Sequence, residues 1–367
     1  MTRRLTVLID GLTAELRTAI LDGDEPVRFS VHPPKTLPRV GDVFTGRLRA
    51  LDHGGAFVDL GGGLDGFLPA AEGLGEGDLI AVEVRREGGQ GKGCRLARCR
   101  MDGGKTPGLI EKGPSPAVTS IAALGPDDID RIVVEGIETF RDLCDGFAAL
   151  ADRIKLHAAG APLFDAFGIE TELHAVTDPA VPLGRGGRLM IEETAACVAI
   201  DVDSGGETPG QANRAAAPVL AREILKRGLS GVVLVDPAGS NDRRHGFRMA
   251  ETLGERLAET GIDGEVKGVT RAGLVEIVIR RERESVAATL RRLRSCAYAA
   301  VRAAHKTAME QPGKPIAIRA NVDLTELLAR DTFRPERDAF EARHGVGLHL
   351  VTDDAMARGV FGTEEYR

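Results

Sequence analysis

Apolar and polar positions predict a strand, a helix and a second strand between residues 197 and 236. Residues 197–202 form an apolar run of strand length, residues 215–225 place apolar side chains at helical spacing, and residues 232–235 are a short β-branched run. Two strands that are joined by a helix pair in parallel, with a right-handed crossover. We therefore expect an α/β unit whose two strands end at the same edge of one sheet.

Acidic residues stand where these two strands end. Asp201 and Asp203 are two positions apart, so strand alternation places both on one face, and Asp236 ends the second strand. Three carboxylates at one edge repel each other unless a cation lies between them, and a hard divalent ion such as Mg²⁺ prefers oxygen ligands. The pattern predicts a metal site formed by Asp201, Asp203 and Asp236. The alternative for Asp201 is a strand-end carboxylate that caps a nearby turn.

Short strands separated by glycine turns dominate the region from residue 40 to residue 100. Five of them follow one another, which predicts a small closed barrel. Two earlier strands are expected at residues 5–9 and 15–21, and Pro33, Pro34 and Pro38 mark a boundary before the barrel.

The remaining chain alternates between helical and strand patterns. We expect a linker or stunted domain at 102–124, helices at 137–158, 247–260 and 282–304, a short strand or loop at 266–270, a strand at 271–281, and a β-α-α-β tail from 315 to 351.

Composition narrows the function classes. The 367 residues allow two or more domains, and the net charge of −7 means that a nucleic-acid partner would be held by local basic patches. The five cysteines form no C-x-x-C pair, which favours reduced thiols in the cytoplasm over zinc or disulfides. No apolar run approaches the roughly 18 residues of a membrane span, so we expect none.

Several motifs in this order resemble known families. The segments 41–46, 56–61 and 66–69 are similar to an S1 RNA-binding domain, an OB-fold barrel. Together with 162–170, 187–194, 199–205, 231–236 and 273–277, they resemble the ribonuclease E/G family over nearly the whole chain. The resemblance implies an α/β, multi-domain protein that cuts single-stranded RNA internally with Mg²⁺.

The resemblance also implies a domain order. Residues 1–36 and 127–190 would form a split RNase H-like scaffold, with the S1 barrel at 37–100 and a reduced sensor or linker at 101–126. Residues 191–290 would form a DNase I-like catalytic region, and residues 291–367 a linking helix and a small C-terminal domain.

The family's catalytic positions carry over only in part. Asp201 matches the first metal-binding Asp, and Asp203 replaces a neighbouring Asn. Gly239 stands where the second catalytic Asp is expected, while Asp236 matches a non-ligand Asp of that motif. The missing charge would be supplied by Asp203, or by Asp236 or Asp242 turning towards the metal.

RNA-binding positions carry over in the barrel and in the region after it. Phe57 and Phe67 match aromatic residues that stack on bases, and Lys92 matches a basic residue for the backbone. The alternative is that the two Phe side chains belong to the barrel core. Lys112 and Gly113 fall where the family's 5′-phosphate sensor has an Arg-Thr pair, so phosphate would meet a point charge instead of a bidentate guanidinium.

Two further expectations concern the end of the catalytic region. Arg280 and Arg281 follow the strand that contains Glu276, and we expect them to steady the scissile phosphate. The paired cysteines that link family protomers through zinc are missing after Glu284, so we expect a monomer or dimer and no zinc-linked tetramer.

The sequence is compatible with two functions from different classes. The first is a Mg²⁺-dependent endoribonuclease, and the second is an RNA-binding protein of the same family with weak or lost cleavage, which Gly239 and the reduced sensor favour. A nucleotide-dependent metabolic enzyme is disfavoured because no glycine-rich fingerprint follows a strand.

Overall fold

The computed structural model describes residues 4–34, 38–52, 54–88, 93–158, 160–281 and 283–366. The chain divides into two compact units: Pro33–Ala123 forms one, and Met1–His32 together with Leu124–Arg367 forms the other. The chain is thus a mixed α/β protein with several sheets. The finer division into five parts stays a prediction.

The larger unit begins with three antiparallel strands, β1 (Leu5–Asp10), β2 (Leu16–Asp22) and β3 (Glu25–His32). Every residue of β1 is buried, because the strand lies in the middle of its sheet. The first two strands confirm the pattern expected from the sequence, and β3 is an additional strand.

The smaller unit is built around a closed barrel. Its elements are β4 (Val43–Asp52), β5 (Gly55–Gly61), β6 (Leu64–Pro69), β7 (Leu79–Arg86), β8 (Cys94–Arg98), β9 (Gly108–Glu111) and α1 (Pro116–Ala122). The strand order β5-β6-β8-β7-β4 closes through pairing of β4 with β5, and β9 adds to β4. The five-stranded barrel is therefore confirmed, and its interior is filled by buried apolar side chains such as Phe44, Val58 and Leu96.

The larger unit resumes with β10 (Ile129–Glu135), α2 (Ile137–Gly146), β11 (Ile154–Leu156), α3 (Leu163–Ala166) and α4 (Glu170–Ala175). β10 pairs in parallel with β1, which completes the sheet β11-β10-β1-β2-β3. The helix predicted for residues 137–158 is wrong in its second half, because the chain returns as β11 beside β10. The pairing of β11 with β10 could not be predicted locally, because β11 has only three residues and is too short to show a strand pattern.

The second sheet of the larger unit has six strands. Its elements are β12 (Ala180–Gly184), β13 (Gly187–Glu193), β14 (Val198–Asp203), α5 (Pro209–Arg227), β15 (Gly231–Asp236), α6 (Arg243–Thr260), β16 (Gly264–Val269) and β17 (Val275–Ile279). The strand order is β12-β13-β14-β15-β17-β16, and β14 and β15 are parallel. The predicted strand-helix-strand unit is confirmed.

Helix α5 has clear start and stop signals. Thr208 and Gln211 form a capping box, Pro209 occupies the first turn, and Gly228 ends the helix at φ 64°. Buried residues of this helix, such as Leu220 and Ile224, pack in one core with Ile200 and Val235 of the sheet. This helix therefore covers the sheet face opposite to the one that the acidic residues occupy.

The larger unit ends with α7 (Val286–Leu290), α8 (Leu293–Glu310), β18 (Ile316–Ala320), α9 (Val322–Ala329), α10 (Arg334–His344), β19 (Leu348–Thr352) and β20 (Phe361–Glu365). The β-α-α-β tail is confirmed, and β20 adds an antiparallel strand to the other edge of β18. The single long helix predicted for 282–304 is wrong, because the backbone at Arg292 is extended and separates α7 from α8. None of the helices within the described ranges is long and apolar enough to cross a bilayer.

Candidate active site and nucleic-acid interface

The acidic residues lie at the carboxyl ends of β14 and β15. Asp201 and Asp236 are direct partners in the parallel ladder, so their side chains leave the same face of the sheet. Asp203 follows on that face, whereas Ile200, Val202 and Val235 point into the core beneath α5 and α6. The structure thus brings two of the three predicted carboxylates together as neighbours across one strand pair.

The three carboxylates differ in their surroundings. Burial raises the pKa of the Asp201 carboxyl, and the negative charges of Asp236 and Asp203 raise it further. Oδ1 of Asp236 is buried and has no hydrogen-bond partner. Asp203 is engaged, since it accepts a hydrogen bond from Gly205 N at 3.0 Å and lies 3.3 Å from Arg188 Nε. Asp236 therefore has an unpaired buried carboxylate oxygen close to the carboxylate of Asp201.

A groove of about 300 Å³ contains these side chains. It is lined by Asp201, Asp203, Ser204, Asp236 and the loop at 237–240. Across the part of the chain that is described, no three His, Cys, Asp or Glu side chains are arranged to hold one metal ion. The residues present fit a cation that takes one or two carboxylates and completes its shell with water and phosphate, which is the usual habit of Mg²⁺. The unpartnered Oδ1 of Asp236 is the observation that supports this fit. The three-carboxylate site itself stays a prediction.

Asn213 of helix α5 is hydrogen-bonded to the loop that follows Asp236. The side chain of Asn213 accepts a hydrogen bond from Ala238 N and donates one to Ala238 O, both at 2.9 Å. Asn213 is buried at 5% exposure, so this pair fixes the backbone beside the groove. Sequence analysis missed Asn213, because an Asn inside a helix pattern has no distinctive signal.

Gly239 has a backbone that a larger residue would strain. Its φ is +68°, and a Cβ added there would lie 2.9 Å from Cβ of Pro209. An Asp at this position would therefore require the loop or the start of α5 to shift. Asp242, one of the alternatives for supplying the missing charge, instead caps α6. Hydrogen bonds from the Arg244 guanidinium and backbone N–H lower the pKa of Asp242 to about 2.

The expectation for Arg280 and Arg281 is contradicted by strand direction. β17 is antiparallel to β15, and Ile279 pairs with Gly231 at the opposite end of β15 from Asp236. Gly231 and Asp236 are five residue steps apart along the strand, which is about 17 Å. Arg280 pairs there with Asp263, and Arg281 lies against Gly231. Neither side chain is beside the acidic residues.

Arg188 is a basic side chain that the structure places at the acidic edge. It lies on β13 directly opposite Asp203 and is largely exposed. Sequence analysis missed it because the strand pairing that brings Arg188 to Asp203 leaves no signal in the residues around either position. The antiparallel register of β13 and β14 is the signal that identifies it.

Phe57 and Phe67 lie on the outer surface of the barrel. They are partners on β5 and β6, with ring centroids 5.4 Å apart in an edge-to-face arrangement. Phe57 is 50% exposed and Phe67 is half-buried, so the barrel-core alternative fails for Phe57. Lys92 lies outside the described residues.

Two arginines that sequence analysis missed extend this aromatic surface. Arg95 on β8 is the partner of Phe67, and Arg86 on β7 is the partner of Arg95. Both arginines are exposed. The surface formed by Phe57, Phe67, Arg95 and Arg86 therefore combines ring faces with positive charge, as single-stranded nucleic-acid binding requires.

The segment predicted to be a reduced sensor places Lys112 at the protein surface. Lys112 follows β9 and is exposed. Gly113 donates a hydrogen bond from its backbone N–H to Asp42 at 2.8 Å, and a Cβ at Gly113 would lie 2.7 Å from the carbonyl carbon of Gly41. The close approach of these backbones explains why a glycine stands where the resemblance would place a Thr.

Comparison with known proteins assigns two regions. Residues 95–284 match the profile of the ribonuclease E/G family, and residues 37–72 match the profile of the S1 RNA binding domain. The first match covers just over half of the chain.

Curated relatives agree with these profiles. A chloroplastic ribonuclease E/G-like protein of Arabidopsis thaliana is 29% identical over 293 residues, which is 76% of this chain and 28% of that protein. Ribonuclease G of Haemophilus influenzae is 32% identical over 37% of this chain and 30% of its own length. Ribonuclease G of Escherichia coli K12 is 27% identical over 43% of this chain and 35% of its own length. The chain thus matches about a third of the length of these relatives.

Proposed function

Because the chain belongs to the ribonuclease E/G family, we propose that it is an endoribonuclease that cuts single-stranded RNA with the help of Mg²⁺. The observation that supports this most directly is the position of Asp201 and Asp236. Their side chains project from the same face of the sheet at the ends of two parallel strands, and Oδ1 of Asp236 has no hydrogen-bond partner. Ligands of open α/β sheets bind at this edge.

The residues at the acidic edge have distinct roles in this proposal. Asp201 and Asp236 are the residues that would hold Mg²⁺. When bound, the ion supplies water activation and offsets the negative charge that develops on the phosphate. Arg188, held by Asp203, presents its guanidinium to a phosphate of the RNA, and Asn213 keeps the loop after Asp236 in place.

The smaller unit contributes RNA binding. Phe57 and Phe67 stack on bases, and Arg95, Arg86 and Lys112 contact the phosphate backbone. The match to the S1 domain and the exposure of Phe57 support this role. In this proposal the six-stranded sheet is the DNase I-like region and the sheet around β1 is the RNase H-like scaffold. A cytoplasmic location is consistent with five free cysteines.

Incubation of the purified protein with single-stranded RNA tests the nuclease proposal. We expect internal cutting with Mg²⁺, no cutting with EDTA, and loss of cutting in Asp201→Asn. Asp338→Asn is the matched control, because it makes the same change at an exposed residue of α10. Cutting by Asp201→Asn at the wild-type rate would refute the role of the acidic edge.

The second function is RNA binding without cleavage. Two observations favour it: Gly239 replaces a carboxylate of the family, and no three acidic side chains in the described ranges converge on one point. If this function is the correct one, the wild-type protein retains RNA in a binding assay while the RNA stays intact at high protein concentration with Mg²⁺. Binding would then depend strongly on salt, because phosphate contacts release counterions.

A further inference from the structure

A cavity of about 420 Å³ adjoins the acidic groove in the larger unit. It lies between the β12–β13 hairpin and the first turns of α5, and Ser204 lines both the cavity and the groove. Its volume falls within the roughly 300–1,000 Å³ range of small-molecule sites.

The cavity has an apolar wall and a polar wall. Leu183, Ala212 and Ala215 supply aliphatic surface. Ser204 supplies a hydroxyl that donates and accepts hydrogen bonds, and Gln211 supplies the NH2 of its amide, because its Oε1 accepts hydrogen bonds from Thr208. A planar group with an apolar face and a polar edge matches both walls at once.

Two turns in close contact form the mouth of the cavity. The hairpin turn contains Arg185, whose φ is +46°, between Gly184 and Gly186. A Cβ on Gly205 would lie only 2.4 Å from the carbonyl carbon of Gly186, so the turn after β14 lies directly against the hairpin backbone. The cavity is therefore preformed, and ligand binding does not require the turns to move together.

The charge of the lining argues against phosphate as the ligand. Arg185 Nη1 lies 2.9 Å from Glu207 Oε1, so the cation and the anion of the cavity neutralise each other. A phosphate would need excess positive charge, whereas a nucleobase is neutral, planar and has donors and acceptors along its edge.

We propose that this cavity binds one nucleobase of single-stranded RNA, next to the phosphodiester that lies in the acidic groove. The inference rests on the proposed function, because it takes the groove as the place of the scissile phosphate. The cavity would then determine which base is preferred beside the cut.

Ala215→Phe tests the cavity with little effect on the core. Ala215 is exposed on α5 and lines the cavity, so a phenyl ring there fills the space meant for the base. Ala342→Phe is the matched control, because it places the same ring at an exposed position of α10.

Mapping of cleavage sites on randomised single-stranded RNA provides the first measurement. We expect the wild type and Ala342→Phe to share a base preference at one position beside the cut. Ala215→Phe should reduce that preference about tenfold, which is within the range for filling a specificity pocket. An unchanged preference in Ala215→Phe would overturn the inference and leave the nuclease proposal intact.

Binding without cleavage provides the second measurement, and it decides the inference if the wild type does not cut. The Asp201→Asn protein is titrated with short homopolymers of adenosine, cytidine or uridine nucleotides, and with an abasic ribose-phosphate of the same length. We expect at least one base-containing oligomer to shift the amide resonances of Ala212 and Ala215, and the abasic oligomer to leave them unchanged. Equal shifts with the abasic oligomer, or no shifts with any oligomer, would refute a nucleobase site.

Discussion

Replacement of Asn213 by Ala should loosen the loop that follows Asp236. The side chain of Asn213 makes two hydrogen bonds of 2.9 Å with the backbone of Ala238, one as donor and one as acceptor. Asn213 is 5% exposed and Ala238 is 8% exposed, so water does not readily replace either bond. The variant leaves a buried N–H and a buried C=O without these partners.

The magnitude follows from those two groups. A buried polar group that loses its partner costs about 1–3 kcal/mol, so we expect Asn213→Ala to lower the free energy of unfolding by about 2–4 kcal/mol, allowing for some relaxation of the loop. The backbone amide of Ala238 should exchange its hydrogen faster, because local opening of the loop becomes easier. RNA cleavage should fall as well, because the loop begins at the residue after Asp236.

Chemical denaturation, hydrogen exchange at Ala238 and Mg²⁺-dependent cleavage measure these effects. Asn321→Ala is the matched control: Asn321 caps α9 through a bond from Leu324 N, and its loss should lower stability by about 1 kcal/mol without changing cleavage. A stability loss in Asn213→Ala no larger than that of the control, with unchanged exchange at Ala238, would refute the reasoning.

Variants at three further positions test separate features. Gly239→Ala and Gly239→Asp should each lower stability by about 1–3 kcal/mol, because φ is +68° and Pro209 is close; faster RNA cleavage by the Asp variant at full stability would contradict this. Phe57→Ala should weaken RNA binding by about 1–3 kcal/mol with little change in melting temperature, and a large fall in melting temperature would instead assign Phe57 to the core. Burial lowers the pKa of His305 to about 3, and the nearby charges of His344 and Arg343 contribute to this shift. His305 is therefore protonated near pH 6.5 in the unfolded chain but only near pH 3 in the folded protein. Stability should therefore decline as pH falls from 6.5 towards 3, and His305→Gln should flatten that decline by up to about 1.4 kcal/mol per pH unit in denaturation measurements; an unchanged slope would contradict the assignment.

Local periodicity predicted the parts of the fold that face one core. The apolar run of β14, the helical spacing of α5 and the β-branched run of β15 were each visible in sequence, and so was the five-stranded barrel. The same alternation put Asp201 and Asp203 on one face. These predictions succeeded because burial of one face imposes a period on neighbouring residues.

Long-range pairing decided what periodicity left open. The antiparallel direction of β17 moved Arg280 and Arg281 to the far end of the sheet and away from Asp236. The register of β13 with β14 brought Arg188 to Asp203, although nothing in the sequence near either residue indicated it.

At the acidic site too, some features were predictable from sequence and others depended on tertiary structure. The sequence by itself determined which residues have carboxylates at strand ends, and the missing Asp at Gly239 was visible from the resemblance. Only the tertiary structure decided that Oδ1 of Asp236 has no partner, that Asp203 is held by Arg188, and that Asn213 fixes the adjacent loop. The physical reason is that hydrogen bonds and charges at the groove join residues from separate strands and helices, and their distances depend on packing between elements far apart in the chain.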